Sequence, residues 1–494
     1  MASIDIARWV LAAVLFAPAA AIVFLNYDNA FQFLPSTRAR PLAPGQRVSS
    51  IPLMGGILGA LALAACPEPA LRGWWWVAFL VDFPGTFGFG RVGEDRRSEA
   101  ERAAALAAER EAEARAIEAA RIARAAYEAR LLVMERAVGG CLLGTAVGDA
   151  LGLACEGLSP ARREKLFPDA ARYHLLPFGR GMCSDDTEHT VMLVQSLCRP
   201  DEHTDDEPQA RAVAANFAWR LRFWLLGLPA GIGMATLRAI LKLWLFIPPR
   251  WSGVYSAGNG PAMRSAVLGV VYGAQPSRLR AMARALTRIT HTDPKAEQAA
   301  WTVACAAHFA MQAAGRLDAG RLLAASRAEF GSRAPEWLLL VERIADSIAR
   351  GESTRAFAEG MGLERGVTGY SFHTVPVALH ACLSCPADYR GAVLAAIECG
   401  GDTDTVAAIT GGIMGAGVGR EGIPPAWLDK LVEWPRTVAW MQALAQELAR
   451  RAAGSNFHLG ESVPVAGAVK VLVRNVFFLA VVLTHGLRRL LPPY

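Results

Sequence analysis

Charged residues and regularly spaced cysteines are both scarce in this sequence, and each scarcity excludes a class of protein. Only 19% of the 494 residues are charged while 53% are hydrophobic, so the chain is too apolar for global disorder. The net charge of +6 is small for this length, and no basic stripe with interleaved aromatic residues is present, so nucleic-acid binding is not indicated. Nine cysteines without a framework spacing fit a reducing compartment better than a disulfide scaffold.

The apolar residues are concentrated near the N terminus. The uncharged runs at 9–25 and 48–66 each approach the roughly 20 apolar residues that a membrane-spanning helix needs. A third stretch, 74–90, opens with three tryptophans, which suit a membrane interface, but Asp82 and Pro84 interrupt it. We therefore predict a membrane anchor in residues 1–90 with two or three transmembrane segments. The third stretch is either a span or a re-entrant or interfacial segment.

Arginines around these segments predict the orientation. With three spans, Arg38, Arg40 and Arg47 fall on the same side as everything after residue 90, and the excess of arginine makes that side cytoplasmic. With two spans this agreement is lost. A cleaved signal peptide is the alternative for the first run, but it leaves the second apolar run unexplained. The sequence favours a membrane-anchored protein whose remaining domain is cytoplasmic.

The segments that flank the central region differ from it in composition. Residues 91–130 consist mainly of Ala, Glu and Arg without proline, which predicts one long charged helix, and their large apolar residues are too sparse for a coiled coil. We expect a solvated helical stalk there. The C-terminal tail, 452–494, contains an uncharged run at 475–487 that is flanked by basic residues. This run is short for a span and favours a helix at the membrane interface.

The central region, 131–451, has the sequence pattern of an all-α domain. Ala- and Leu-rich stretches at helical spacing alternate with Gly, Pro and Asp clusters, whereas strand-like alternation is scarce. The apolar stretch 217–248 contains four basic residues and Pro229, so a buried or amphipathic helix pair is favoured over a membrane hairpin.

Two acidic clusters stand directly before apolar helical runs. The first contains Ser184, Asp185 and Asp186, and the second contains Asp402 and Asp404 after two glycines. Helix capping would account for one acidic residue in each cluster. If the clusters meet in the fold, four carboxylates crowd together, and a bound cation or raised pKa values must relieve their repulsion. Oxygen ligands of this kind select Mg²⁺, Mn²⁺ or Ca²⁺ rather than zinc.

A glycine-rich stretch precedes both clusters. Glycines at 140, 144, 148 and 152 recur every four residues, so they form a stripe without side chains on one helix face, against which another backbone can pack closely. Asp149 and the flanking charges favour a tightly packed helix of a soluble domain over a membrane helix. Glu156, just beyond the stretch, is a plausible additional carboxylate of the site.

Six motifs follow one another along the central region. They are Gly-Asp-Ala-Leu-Gly at 148–152, Ser-Asp-Asp-Thr at 184–187, Gly-Asn-Gly-Pro-Ala-Met-Arg at 258–264, Thr-His-Thr-Asp at 290–293, Gly-Tyr-Ser-Phe-His-Thr at 369–374 and Gly-Asp-Thr-Asp-Thr at 401–405. In this order and combination they resemble the motifs of the ADP-ribosylglycohydrolases, of the dinitrogenase-reductase-activating type. The resemblance runs from about residue 133 to residue 440.

The resemblance implies a compact all-α catalytic domain over residues 131–451 that holds two divalent ions, Mg²⁺ or Mn²⁺. The implied metal ligands are Ser184, Asp185, Asp186, Asp402, Asp404 and Thr405. The family usually has threonine where Ser184 stands, and the hydroxyl oxygen is kept. The implied catalytic residues are Glu156, Asp185, Asp186 and Asp404.

The resemblance also implies a reaction, which is cleavage of the C1″ glycosidic bond of ADP-ribosyl adducts by a water molecule that the ions hold. The substrate is an ADP-ribosylated protein or small molecule. The residues expected on the ADP-ribose side are Gly258, Asn259, Gly260, His291 and Tyr370. Asn259 as a turn residue and His291 or Tyr370 as packed core residues are the alternatives. A non-catalytic sensor of ADP-ribose or a nucleotide, and another metal-dependent glycosidic or phosphoester hydrolase, are the alternative functions.

Overall fold

The structure is a computed structural model that describes residues 98–199, 205–454, 463–489 and 491–492. The predicted membrane segments in residues 1–90 lie outside the described residues. Every regular element within the described ranges is a helix, as the sequence pattern predicts. The α-helices are α1 (Glu99–Gly152), α2 (Pro160–Leu166), α3 (Asp185–Leu197), α4 (Asp206–Leu226), α5 (Met234–Trp244), α6 (Pro249–Ser252), α7 (Gly260–Met263), α8 (Ala266–Tyr272), α9 (Pro276–Arg288), α10 (Pro294–Gln312), α11 (Ala319–Phe330), α12 (Pro335–Ala349), α13 (Thr354–Gly360), α14 (Ser371–Ser384), α15 (Tyr389–Glu398), α16 (Thr403–Val418), α17 (Pro425–Lys430), α18 (Val438–Ala452) and α19 (Ala468–Arg488).

Helix α1 has two parts of different character. Most side chains up to residue 136 are exposed, and ion pairs such as Arg121–Glu118 stabilise this part of the helix along its own surface. From Ala137 onward the helix is buried. The charged segment therefore continues into the glycine-rich segment as one helix without a break at residue 130.

The glycine stripe of α1 packs against the central helix α16, as predicted. A Cβ atom on Gly144 would lie 2.2 Å from the carbonyl oxygen of Gly411, and one on Gly148 would lie 2.1 Å from that of Ala407. These distances leave no room for any side chain, so the two backbones meet directly. The most apolar 18 residues within Leu106–Cys155 are entirely buried inside the protein, as in the core helix of a soluble domain.

Helix α16 lies at the centre of the domain. All of its residues are buried, and it contacts α8, α10, α14 and α15. Because the acidic turn at 402–405 forms the N-terminal end of this helix, the core itself positions those side chains. The stretch 217–248 contains the C-terminal half of α4 and all of α5, which is the predicted helix pair.

The C-terminal helix α19 is longer than the uncharged run at 475–487. It begins at Ala468 and has the length and composition of a membrane span. Only 17% of its most apolar 18-residue segment is buried in the protein. Its buried residues are Arg474, Asn475 and Phe478, whereas large apolar residues such as Phe477 and Leu483 are exposed. The helix thus turns a partly polar face towards the domain and an apolar face outwards.

Candidate metal centre and cavity

Three helix ends bring six carboxylates to one place in the domain. Asp149 lies near the C-terminal end of α1, and the chain beyond that end carries Glu156. Asp185 and Asp186 begin α3, and Asp402 and Asp404 stand at the start of α16. Backbone hydrogen bonds join two of these segments, since Gly157 donates to the carbonyl of Gly401 at 2.7 Å and Gly401 donates to that of Leu158 at 2.7 Å.

Asp149 holds the first acidic turn in place. Its carboxylate accepts hydrogen bonds from the backbone N–H of Ser184 at 2.9 Å, from the N–H of Thr187 at 3.1 Å and from the Thr187 hydroxyl at 2.5 Å. The side chain is fully buried. Asp149 belongs to the sequence motif at 148–152 and argued for a soluble helix, but it was not among the predicted site residues. The signal was present, because Asp149 is the single acidic residue within the buried glycine-rich segment.

The closest group of carboxylates comprises Asp149, Asp186 and Asp404. One oxygen of each lies within 4.8 Å of the others. Two hydroxyls hold one oxygen of Asp186, since Ser184 Oγ donates to Asp186 Oδ2 at 3.1 Å and Thr405 Oγ1 donates to the same oxygen at 3.3 Å. The structure thus brings the two predicted clusters together through residues of the predicted ligand set.

The second acidic turn is non-helical up to Asp402, as the two glycines before it predict, and α16 begins at the next residue, Thr403. Gly400 and Gly401 have φ values of +65° and +77°, and a Cβ on Gly401 would lie 2.0 Å from the carbonyl oxygen of Val367. Asp402 then stands at the N-cap position with φ −77° and ψ 63°. This conformation allows Asp402 and Asp404 to approach the same site, which the interior of a helix would prevent.

Burial and mutual repulsion raise the pKa values of the clustered carboxyl groups. Burial raises the pKa of Asp149 to about 7. Burial and repulsion from neighbouring carboxylates raise the pKa values of Asp185, Asp186 and Asp404 well above the usual range. Desolvation in the cavity, together with repulsion from Asp402, also raises the pKa of Glu156. Without a cation, burial and repulsion therefore favour the protonated, neutral forms of these carboxyl groups.

The donor atoms around this cluster suit a hard divalent cation. They are carboxylate and hydroxyl oxygens without a thiolate among them, which is the ligand type that Mg²⁺ and Mn²⁺ prefer. Asp186 Oδ1 is buried and has no hydrogen-bond partner within the part of the chain that the structure describes. A buried carboxylate oxygen without a partner is costly, and a bound cation would satisfy it.

A cavity of about 520 Å³ opens above the acidic residues. This volume lies within the range of small-molecule sites, roughly 300–1,000 Å³. Site residues that the sequence predicted form much of its wall, namely Glu156, Asp185, Gly258, Asn259, Gly260, His291, Asp402, Asp404 and Thr405. The cavity is also lined by residues without a sequence signal, among them Thr236 and Thr368, and by Gly231 and Gly233 from the connection between α4 and α5.

Asn259 has a defined role in the geometry of the acidic turn. Its Nδ2 donates to Asp402 Oδ2 at 2.6 Å and to Thr374 Oγ1 at 3.0 Å. The side chain therefore fixes the orientation of Asp402 while it lines the cavity.

His291 lies beside the glycines of the Gly-Asn-Gly motif. A Cβ on Gly258 would lie 2.8 Å from His291 Nε2, so only glycine permits this approach. Burial, with a contribution from the Arg264 charge, lowers the pKa of His291 to about 3. The imidazole is consequently neutral at physiological pH. Arg264 itself is fully buried and donates to the carbonyls of Gly260 and Leu286, so its contacts are structural.

Tyr370 lies next to the cavity wall rather than among the residues that line it. Its hydroxyl accepts a hydrogen bond from Lys295 Nζ at 2.8 Å, and its ring meets His373 edge to face at a centroid distance of 4.9 Å. The preceding residues, Thr368 and Gly369, do line the cavity.

Comparisons with known proteins agree with this geometry. A sequence profile described as ADP-ribosylglycohydrolase matches residues 128–456. The chain is 30% identical to an uncharacterized protein of Archaeoglobus fulgidus over 60% of its own length and 92% of that protein. It is 27% identical to ADP-ribosylhydrolase ARH3 of Gallus gallus, over 58% and 87% of the two chains. It is 26% identical to the ADP-ribosyl-[dinitrogen reductase] glycohydrolase of Rhodospirillum rubrum, over 60% and 91%. The matched region contains all six carboxylates and the whole cavity wall, and we conclude that the chain belongs to the ADP-ribosylglycohydrolase family of hydrolases.

Proposed function

We propose that this protein is a metal-dependent hydrolase that cleaves the C1″ glycosidic bond of ADP-ribosyl adducts and releases ADP-ribose. One observation carries the proposal, which is the convergence of six carboxylates at one cavity. Four of them line its wall, namely Glu156, Asp185, Asp402 and Asp404. The other two, Asp149 and Asp186, lie in one group with Asp404. A cluster of this kind is costly to maintain unless it binds a cation. The named relatives are ADP-ribosyl hydrolases, which agrees with the proposal.

The residues that would hold two divalent ions, Mg²⁺ or Mn²⁺, are those of the two acidic turns. They are Ser184, Asp185, Asp186, Asp402, Asp404 and Thr405. When bound, the ions supply Lewis acidity and neutralise the clustered carboxylates. Asp149 is saturated by donors from the first turn, so we assign it to positioning that turn rather than to the reaction.

The chain contributes a proton acceptor and a binding wall to the reaction. Glu156 lines the cavity, and its raised pKa makes it a stronger proton acceptor than an ordinary carboxylate. We assign it to take a proton from the water that attacks C1″. The bond from C1″ to the acceptor then breaks, and the proton that Glu156 took passes to the leaving acceptor. Asn259 and neutral His291 would contact the ribose or diphosphate, because both line the cavity.

The proposal is tested with the purified full-length protein in Mg²⁺ or Mn²⁺. We expect free ADP-ribose from at least one substrate of a panel with arginine-linked, serine-linked and nucleic-acid-linked ADP-ribose. A chelator should abolish the release. Tight ADP-ribose binding by calorimetry without turnover of any substrate would contradict the proposal and would identify the protein as a sensor.

We propose further that the protein is held at a membrane, with the hydrolase domain on the cytoplasmic side. The apolar runs of residues 1–90 support this proposal, and so does the outward apolar face of α19, where Phe477, Leu483 and Leu487 are exposed. The arginines after the first run support the cytoplasmic orientation.

A further inference from the structure

Helix α19 lies outside the region that the family profile matches, and yet it contacts the segments that carry the site. The profile ends at residue 456, whereas α19 begins at Ala468. We propose that α19 is a clamp that positions the active site, with Arg474 as its main positioning residue. Only the expected effect on metal binding rests on the proposed function. The clamp itself is inferred from three contacts between α19, with the residue that follows it, and the segments that form the cavity.

The first contact is between Arg474 and the residue before the first acidic turn. Arg474 Nη2 donates to the carbonyl oxygen of Cys183 at 2.5 Å and to Glu433 Oε2 at 2.8 Å. The same Glu433 oxygen accepts the backbone N–H of Cys183 at 2.9 Å. Both polar groups of Cys183 are thereby fixed by one buried ion pair, and the next residue along the chain is Ser184.

Arg474 also compensates a second buried carboxylate on α3. Its Nη1 lies 3.6 Å from Glu188 Oε1, and the same oxygen accepts a hydrogen bond from Arg436 at 2.5 Å. The Arg474 side chain is only 2% exposed, and those of Glu188 and Glu433 are 4% and 1% exposed. Removal of Arg474 would leave one arginine for two buried carboxylates, and such an imbalance is strongly unfavourable in a low-dielectric interior. The first turn of α3 is therefore held from both sides.

The second contact reaches the loop that forms another part of the cavity wall. Asn475 Nδ2 donates to the carbonyl oxygen of Gly227 at 2.8 Å. Gly227 ends α4, and the loop after it supplies Gly231 and Gly233 to the cavity.

The third contact is at the C-terminal end of α1. Arg489 Nη2 donates to the carbonyl oxygens of Leu153 and Ala154 at 3.2 and 3.1 Å. Both carbonyls lie within three residues of Glu156. The three contacts thus go to backbone carbonyls on three separate segments, each of which leads directly into cavity-lining residues. A helix that served only to cover apolar surface would not need three such polar contacts.

The experiment uses full-length variants, with Arg474→Ala and Asn475→Ala as tests and Val476→Ala as the matched control. Val476 is exposed on the same helix, next to the two tested residues. In the metal-free protein we expect Arg474→Ala to speed hydrogen exchange of the Ser184 and Thr187 amides by at least about tenfold, because these amides depend on the fixed turn. In calorimetry we expect a Mn²⁺ affinity at least about tenfold weaker than that of the wild type. Val476→Ala should change neither quantity. Arg474→Lys should restore part of the loss, because lysine keeps the positive charge but lacks the forked guanidinium group of arginine.

Two outcomes overturn the clamp. One is a folded Arg474→Ala protein with wild-type exchange at the first acidic turn and wild-type Mn²⁺ affinity. If Arg474→Ala does not fold, Asn475→Ala and Arg489→Ala decide, and wild-type exchange at the α4–α5 loop and at residues 156–158 overturns the proposal. A wild-type protein that binds no Mn²⁺ refutes the proposed metal function instead, while exchange in the metal-free protein still decides whether α19 positions the site.

Discussion

Three carboxylates of the acidic cluster are oriented by a few hydrogen-bond donors each. Asp149 is held by the first acidic turn, Asp186 by two hydroxyls and Asp402 by Asn259. These donors set the direction of each side chain but carry no positive charge. Neutralising the cluster therefore requires either protons or a cation, and the two compete.

This competition predicts how metal stabilisation depends on pH. Burial raises the pKa of Asp149 to about 7, and burial with repulsion from neighbouring carboxylates raises the pKa values of Asp186 and Asp404 well above those in the unfolded chain. Because the folded metal-free protein binds these protons more tightly than the unfolded chain does, its stability falls as pH rises from about 4 through these pKa values. Metal binding requires the deprotonated groups, so the metal-induced increase in Tm should grow between about pH 5 and pH 8. Thermal unfolding with chelator and with Mg²⁺ measures this, and an increase that is independent of pH would contradict it.

At Gly258 a single methyl group should impair the cavity. A Cβ there would lie 2.8 Å from His291 Nε2, so Gly258→Ala must displace the imidazole or the loop. We expect ADP-ribose to bind at least about tenfold more weakly, which corresponds to about 1.4 kcal/mol. Calorimetry measures the affinity. Gly233→Ala is the control, since no heavy atom lies within 4 Å of its added Cβ although Gly233 also lines the cavity.

At the scale of helices, the contact between α1 and α16 predicts opposite effects for the same substitution at two positions. A Cβ on Gly144 would lie 2.2 Å from the Gly411 carbonyl oxygen, so Gly144→Ala should lower the free energy of unfolding by about 1–3 kcal/mol or more. A Cβ on Gly139 meets no heavy atom within 4 Å, and Gly139→Ala should stabilise the helix by about 0.5–1 kcal/mol. Urea unfolding of the two variants measures both values, and equal effects would show that the backbones are not in contact.

The elements around the site could be predicted to different extents from the sequence. The glycine stripe and the two acidic turns carry local patterns, and the structure brings both turns together around Asp186 and Asp404 as expected. The sequence placed Asn259 at the binding site, but it could not identify Asp402 as its hydrogen-bond partner. Asp402 is 143 residues away along the chain, and only the fold brings the two together.

Helix α19 shows why contacts between distant parts of the chain could not be predicted. The uncharged run at 475–487 suggested an interfacial helix, and Arg474 counted only as its basic flank. Whether an arginine at such a position faces water, lipid or protein depends on its partners. Here the partners are Glu433 and Glu188, which are distant in the sequence and buried in the domain. The pattern of apolar and polar residues in the C-terminal tail does not indicate where these two glutamates lie.

At the scale of the whole molecule, the proposed anchor predicts the partition of the chain between membrane and soluble fractions. Full-length protein should remain with membranes in high salt, because the apolar runs of residues 1–90 bind through the hydrophobic effect rather than through charge. Deletion of residues 1–90 should shift most of the protein to the soluble fraction. Fractionation followed by immunoblotting measures this partition, and equal retention of both forms would assign membrane binding to another part of the chain.

The most direct test of the central claim compares ADP-ribose release by the full-length wild type, Asp404→Ala and Asp318→Asn in Mn²⁺. Asp404 belongs to the closest carboxylate group, whereas Asp318 caps α11 and lies outside the cavity wall, and asparagine preserves its capping bond. We predict chelator-sensitive release by the wild type and Asp318→Asn, and a loss of more than about a hundredfold in a folded Asp404→Ala protein that binds Mn²⁺ weakly. Wild-type release by Asp404→Ala would contradict the account.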